Sequence, residues 1–572
     1  MFERALIATA AIAVVLGGCT PKEDWSDPEY IQYRMELSDE RAFDEFSHLS
    51  DEQKRELVPT LIAVYEGGTR QLESLRALVS AGDGRAKDVF LSALSRPDDA
   101  TAALAARGLA AIGDVSSASA IADRLAQVTQ HDAYPAFLDA LSDVPTSEAA
   151  DVVAGVLMRP ASRIGGVGTV RRGCSFLGEI DEPSSEVLAA LAFGLVNLNP
   201  QPFEDAMNEC ELALVRHGAA SVPVLQEMFL GNNTAVNNHL TTLQYLPVVG
   251  QLRSGAVLSH LPIPSSTAVL LGWFDSRHDV PAAELERMGA QQASAWYDFH
   301  GQLFTAAVGG LAWANSADSL AMLRRLESTG SEGSALANFQ PWFQLSAGAE
   351  FGLRTAVHEA LMKAGEEADR ELLWERATSG TVPTARGEYF NAEFRKNALH
   401  YVGRTARAGE AERFATVMAA QSNPIEFVMH VGYFALAEVC GDEVACYAGA
   451  LTDPSEVIAH ELVTSTVPSE LSEQDQSTVR SGIQQNIRTG AVWQLGKRLG
   501  GQPAASTALL DALDNPSMQV RFEAIEALHY VHTLPQDASE KLNAFLEREA
   551  TSTAQGARDL RHAVRLLLAT RT

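Results

Sequence analysis

Apolar positions recur along most of this chain at spacings of three and four, stop at a glycine or a short polar stretch, and then restart. The clearest copy is Leu109-Ala-Ala-Ile-Gly-Asp114. It predicts the last turn of one helix, a tight Gly-Asp stop, and a second amphipathic helix through Ile121 and Leu125. Anchors of the same kind stand at Leu78, Leu109, Leu141, Leu177 and Leu214, in steps of 31, 32, 36 and 37 residues. The pattern returns at Leu361, Leu399, Leu436, Val492 and Leu528. A second signature marks the loops: Leu94-Ser-Arg-Pro97, Leu157-Met-Arg-Pro160, Leu451-Thr-Asp-Pro454 and Leu513-Asp-Asn-Pro516. Proline there ends the preceding helix and suits the opening of the next.

A helical hairpin of this length cannot bury its own apolar face, so the copies must stack on one another. That resolves a difficulty of size, because 572 residues are too many for one compact core. Helix formers dominate and β-branched runs are few, so the chain is expected to be all-α. From about 232 to 350 the period fails. Leu261-Pro-Ile-Pro264 and the Gly/Ser-rich stretch from Ser328 to Ser334 interrupt it.

Leu513-Asp-Asn-Pro-Ser-Met-Gln-Val-Arg521, followed by Ala524 and Leu528, resembles the short HEAT-like repeat of the bilin-lyase type. Arg107 with Leu109 to Asp114 carries the same signature. The resemblance covers roughly residues 60–230 and 350–572. It implies a right-handed α-solenoid of stacked helical hairpins, with repeats over 48–231 and 351–572 and an irregular middle over 232–350. Its implied work is protein binding along the concave surface of the stacked helices, with acidic or aromatic residues along the inner helices.

The N-terminus carries an address rather than fold. Arg4 precedes an apolar stretch from Ala5 to Leu16, too short to span a bilayer. Leu16-Gly17-Gly18-Cys19 resembles the lipobox of bacterial lipoproteins. The resemblance implies cleavage after residue 18, acylation of Cys19 and a lipid-anchored protein of the cell envelope. Thr20, in place of the aspartate that retains such proteins in the inner membrane of enteric bacteria, favours the outer membrane. Residues 19–47 are polar and acidic and read as a tether with one short helix.

Charge narrows the partners. The formal net charge of −29 repels phosphate backbones, so nucleic acid is not an expected partner. Simple solubility accounts for such a surface. It also suits a basic protein of the envelope or divalent cations, and the latter leaves open a structural, cation-binding role.

Four cysteines remain beyond Cys19. Cys440 and Cys446 flank a Gly-Asp-Glu turn and could staple one helical hairpin, and Cys174 and Cys210 occupy matching places in consecutive repeats. Free buried thiols are the alternative for all four. His358-Glu359 and His460-Glu461 lack the second histidine one turn on, so neither makes a zinc helix. His529 and His532 could share a face, but two ligands make a poor metal site. Gly165-Gly166-Val-Gly168 lacks the third glycine and preceding strand of a dinucleotide loop and reads as a connection between repeats. No nucleophile elbow or phosphate loop occurs, and no cofactor and no enzymatic activity are expected. Trp273, Trp296, Trp313 and Trp342 crowd the middle region, either as core or as a partner surface. An enzyme reading would place its site there, around His278, Trp296 and His300.

Overall fold

The computed structural model describes residues 23–197, 204–279, 290–328, 335–339, 342, 349–384, 387–390, 392–420, 425–458, 469 and 471–571. The signal-like segment with Cys19, and His460-Glu461, lie outside them. The described chain is helical apart from one two-stranded antiparallel hairpin, β1 (Thr381–Thr384) with β2 (Gly387–Phe390), in which Thr381 pairs with Phe390. It divides into two compact units, one up to Ala190 and one from Leu191. The boundary expected between residues 231 and 232 therefore falls inside the second unit.

The N-terminal unit runs α1 (Pro28–Glu36), α2 (Glu40–Phe46), α3 (Asp51–Glu56), α4 (Val58–Glu66), α5 (Gln71–Ala81), α6 (Lys87–Leu94), α7 (Asp99–Ala111), α8 (Ala118–Ala126), α9 (Tyr134–Asp143), α10 (Ser147–Leu157) and α11 (Val167–Leu177). Helices α5, α7, α9 and α11 pack on one another in succession. Each of α6, α8 and α10 pairs with the helix that follows it, and α8 also packs on α10.

The Gly-Asp stop explains how one hairpin is tied to the last. Gly113 closes α7 at φ +67°, a left-handed conformation that a side chain disfavours. Asp114 then accepts hydrogen bonds from Ser116 and Ser117 and pairs with Lys87 of α6 at 2.9 Å. Burial alone would raise its pKa. Those three partners outweigh it and hold the carboxyl at about 2. All ten anchors, from Leu78 to Leu528, are at most 2% exposed. The periodicity marks core positions throughout the chain.

The segment expected to be a tether is folded from Pro28 onward. Tyr30, Ile31 and Met35 of α1, and Ala42, Phe43 and Phe46 of α2, are buried, and these helices pack on α4 and α5. Their six apolar positions lie at helical spacing among many carboxylates, so the acidic composition concealed an amphipathic pair.

The C-terminal unit contains α12 (Glu204–Arg216), α13 (Val248–Ser259), α14 (Pro264–Asp275), α15 (Ala290–Ala314), α16 (Ala349–Ala364), α17 (Glu367–Ser379), α18 (Ala392–Arg404), α19 (Val431–Cys440), α20 (Val444–Thr452), α21 (Glu473–Trp493), α22 (Met518–Leu528) and α23 (Ala557–Arg571), with further helices between. Its packing forms a closed circuit: α12 on α13, then α15, α16, α18, α21, α22, α23, and back to α12. The last helices of this unit thus return against the first.

The turn after α21 helps to close the circuit. Residues Gln494–Arg498 continue it as a π turn, where the sequence suggested a glycine stop at Gly496. Gln494 donates to the Ala406 carbonyl at 2.6 Å, and Lys497 donates to those of Lys363 and Gly365 at 2.7 and 2.8 Å. Both side chains satisfy carbonyls just beyond or at the ends of α18 and α16 that have no partner inside the helix.

Candidate functional site

The tryptophans of the middle region do not form a surface. Trp273, Trp296 and Trp342 are 4%, 8% and 2% exposed. They pack with Phe274, Phe304 and Phe339 in one aromatic cluster. The expectation of a partner surface is corrected for these three, since their hydrophobic area is already covered by other rings. His278 and His300 do converge, each against Trp342. Each donates a ring N–H to a backbone carbonyl, His278 to Trp273 and His300 to Trp296, both at 2.8 Å. Burial lowers both pKa values, that of His300 to about 4, so these rings are neutral at pH 7.

Trp313 behaves differently. It is half-buried near the C-terminal end of α15, with its ring centroid 3.4 Å from His529 and 5.6 Å from His260. These three rings, with Phe522, Glu523 and Glu526 of α22, line a cavity of about 240 Å³. Phe522, Glu526 and His529 fall at i, i+4 and i+7, so one face of α22 and its cap supplies much of the wall. Arg571 secures that cap by donating to the carbonyls of His529 and Val531 at 2.9 and 2.7 Å. Burial, with His260 and Arg571 nearby, pushes the His529 pKa well down. Its Nδ1 is buried and has no hydrogen-bond partner.

Behind the cavity lies a charged network spanning four helices. Glu359 and Lys363 pair along α16 at 2.7 Å, and Lys363 also reaches Glu526. Arg404 of α18 meets Glu523 at 3.4 Å, and Trp493 of α21 donates to the same carboxylate at 3.0 Å. Burial by itself would lower the Lys363 pKa. Glu526 and Glu359 outweigh it and hold the ammonium charged. Glu359 is held ionised in turn, its burial outweighed by Lys363. His358, adjacent to Glu359, faces away toward Glu327. The two residues of that His-Glu pair therefore serve different neighbours. Among the described residues no group of three His, Cys, Asp or Glu side chains could hold a metal ion.

No family model matches this chain, and no curated protein is similar to it.

The cysteine expectation fares better than the aromatic one. Cys440 and Cys446 form a disulfide across the turn between α19 and α20, with Cα atoms 5.4 Å apart. Cys174 and Cys210 are each in a disulfide too, so none of these four cysteines is a free thiol. Gly165 and Gly166, at φ +85° and +82°, form the loop that opens α11, as the loop reading of that glycine run requires. Among the described residues no helix is long and apolar enough to cross a membrane.

In the N-terminal unit one set of helices exposes aspartates and the other is mixed: α9, between α7 and α11, exposes Asp139 and Asp143, and Asp139 pairs with Arg172 of α11 at 2.6 Å. The set containing α5, α7 and α11 presents Arg76, Arg107 and Arg171 to solvent, with Leu72 42% exposed and Leu104 partly so. None of these three arginines has an ion-pair partner among the described residues. Asp88 of α6, Asp123 of α8 and Asp151 of α10 are exposed on the other set. The arginine face has no counterpart in a motif, and only the fold assembles it from positions about 30 and 60 residues apart. Aligning the repeats on their anchors gives Arg76, Arg107, Asp139 and Ser175 two positions before Leu78, Leu109, Leu141 and Leu177, so only the first two arginines were legible that way.

Proposed function

We propose that this chain is a lipid-anchored bacterial envelope protein that holds a protein partner on a HEAT-like, right-handed solenoid of helical hairpins. The observation that carries the reading is the arginine and leucine face of α5, α7 and α11. Three exposed arginines without ion-pair partners among the described residues, with Leu72 exposed on the same set of helices, favour an interface on an otherwise acidic protein, because arginine is enriched at interfaces. The partner in this reading presents carboxylates to that face. The N-terminal unit is the binding element in this reading, because it carries these arginines.

The anchor in this reading is Cys19. Eight residues separate it from the first helix at Pro28. Fully extended they reach at most about 30 Å. The N-terminal unit would therefore sit close to the membrane that holds the lipid, with the outer membrane favoured. Replacement Cys19→Ala should release the protein from the membrane fraction. A triple variant, Arg76→Glu, Arg107→Glu and Arg171→Glu, should stay anchored and lose its partner. An anchored wild type that co-purifies with the same proteins as the triple variant would contradict the scaffold reading.

A further inference from the structure

From the cavity bounded by Trp313, Phe522, His260, His529, Glu523 and Glu526, we infer that the C-terminal unit binds a small organic monocation of the quaternary-ammonium type. Its lining contains two carboxylates and neither Lys nor Arg. Behind it, three carboxylates (Glu359, Glu523 and Glu526) share two cations, Lys363 and Arg404. Glu359 and Glu526 share the single ammonium of Lys363, so the network is acidic on the side of Glu526, which favours a cation there.

The carboxylates differ in how much capacity they have left. Glu523 is buried and already accepts from Arg404, Thr489, Trp493 and Gln519. Glu526 is half-exposed and shares Lys363 with Glu359, so it is the carboxylate that faces a ligand. Two further charges, Glu211 and Arg571, lie near the same wall. Glu211 faces His260 and His562, and Arg571 is bonded to carbonyls at the end of α22.

Rings supply the other half of the recognition. Trp313, Phe522, His260 and a neutral His529 present aromatic walls, and an ammonium group over such faces is attracted by the ring quadrupole. At about 30 Å³ per water, 240 Å³ equals about eight waters, room for a cation of about ten heavy atoms. A quaternary ammonium needs no hydrogen-bond acceptor for its charged end. That suits a wall in which most acceptors are already taken.

The test is calorimetric titration of the full chain with choline, and separately with its uncharged isostere 3,3-dimethyl-1-butanol, each in buffer of fixed ionic strength. Choline should bind saturably at one site, and the alcohol at least tenfold more weakly. Glu526→Gln and Trp313→Leu should each weaken choline at least tenfold. Trp313→Phe, which keeps a ring, should fall between. Circular dichroism of each variant verifies folding, and the wild-type comparison of choline with the alcohol decides the matter if a variant unfolds. Absence of saturable binding up to 50 mM, equal binding of the alcohol, or full affinity in Trp313→Leu would overturn the assignment.

Discussion

Glu211 and His562 stand 351 residues apart in the sequence and 3.0 Å apart in the fold. The other carboxylate oxygen of Glu211 meets His260 Nδ1 at 2.6 Å. One side chain of α12 thus joins the loop after α13 to the last helix, α23. Arg565 of α23 adds a second contact, to Glu209 at 2.5 Å. These pairs close the circuit of the C-terminal unit.

Removing His562 tests that closure. Burial would raise the Glu211 pKa, but the hydrogen bonds from His260 and His562 outweigh it and hold the carboxyl ionised. His562→Ala takes away one of them and leaves a buried charge half-satisfied, at a cost of about 1–3 kcal/mol. Hydrogen exchange should quicken in 204–216 and 557–571 together. Unchanged exchange in both helices would show that the pairing contributes nothing to closure.

Acid sensitivity should be marked and graded. Burial holds the His430 pKa at about 4, against an ordinary value near 6.5. Between those two values the unfolded chain binds the proton and the folded chain does not. Stability is therefore full above about pH 6.5 and falls as pH drops toward 4, by about 3 kcal/mol for such a group. His300 adds to the same slope. Urea denaturation at pH 7 and pH 5 measures it, and His430→Phe should flatten it. An equal slope in that variant would remove His430 as a source.

Asp99 should be the most sensitive position of the N-terminal unit. It is buried and pairs with Arg124 at 2.5 Å while accepting from the Thr129 and Gln130 amides at 2.8 and 2.7 Å. Burial would raise its pKa, and these partners hold it at about 2. Asp99→Ala strands a buried guanidinium and two amides, which costs about 3–5 kcal/mol. The carboxylate's own contribution is present above about pH 4 and is lost as pH falls toward 2. A loss below about 1 kcal/mol in thermal or urea unfolding would contradict this.

The Cys440–Cys446 bridge closes a short loop, with a sequence separation of 6. Chain entropy gives such a loop about 2 kcal/mol of stabilisation. The double variant Cys440→Ser, Cys446→Ser should lose that amount in denaturant titration. Alkylation without reductant should label none of the four cysteines beyond Cys19. Labelling of Cys440 or Cys446 in the native protein would be the contrary result.

How far the sequence led depended on the range of the contact. Leu109 to Asp114 was readable because a helix stop is local chemistry, a left-handed glycine followed by an aspartate that binds the next two serines. The Cys440–Cys446 hairpin was readable for the same reason. The buried pair α1 and α2 was hidden by the carboxylates around Tyr30 and Phe43, since composition averages over both faces of a helix. Composition pointed to the aromatic middle region but could not separate Trp313 from Trp273, Trp296 and Trp342. Burial is decided by what packs from elsewhere. The hairpin of β1 and β2 was missed because eight residues of local strand propensity carry little weight within a helical pattern. Glu211 with His562, and the cavity beside His529, left no local trace at all.

The scaffold reading rests on one face of one unit, and in-cell photocrosslinking addresses that face directly. A photoreactive amino acid is placed at Arg107, on the arginine face, and separately at Asp123, on the opposite set of helices. The account predicts one discrete crosslinked partner from position 107 and none from position 123. It also predicts that the crosslink disappears when Arg76 and Arg171 are changed to glutamate. Equal crosslinking from both positions, or a crosslink indifferent to those two substitutions, would contradict it.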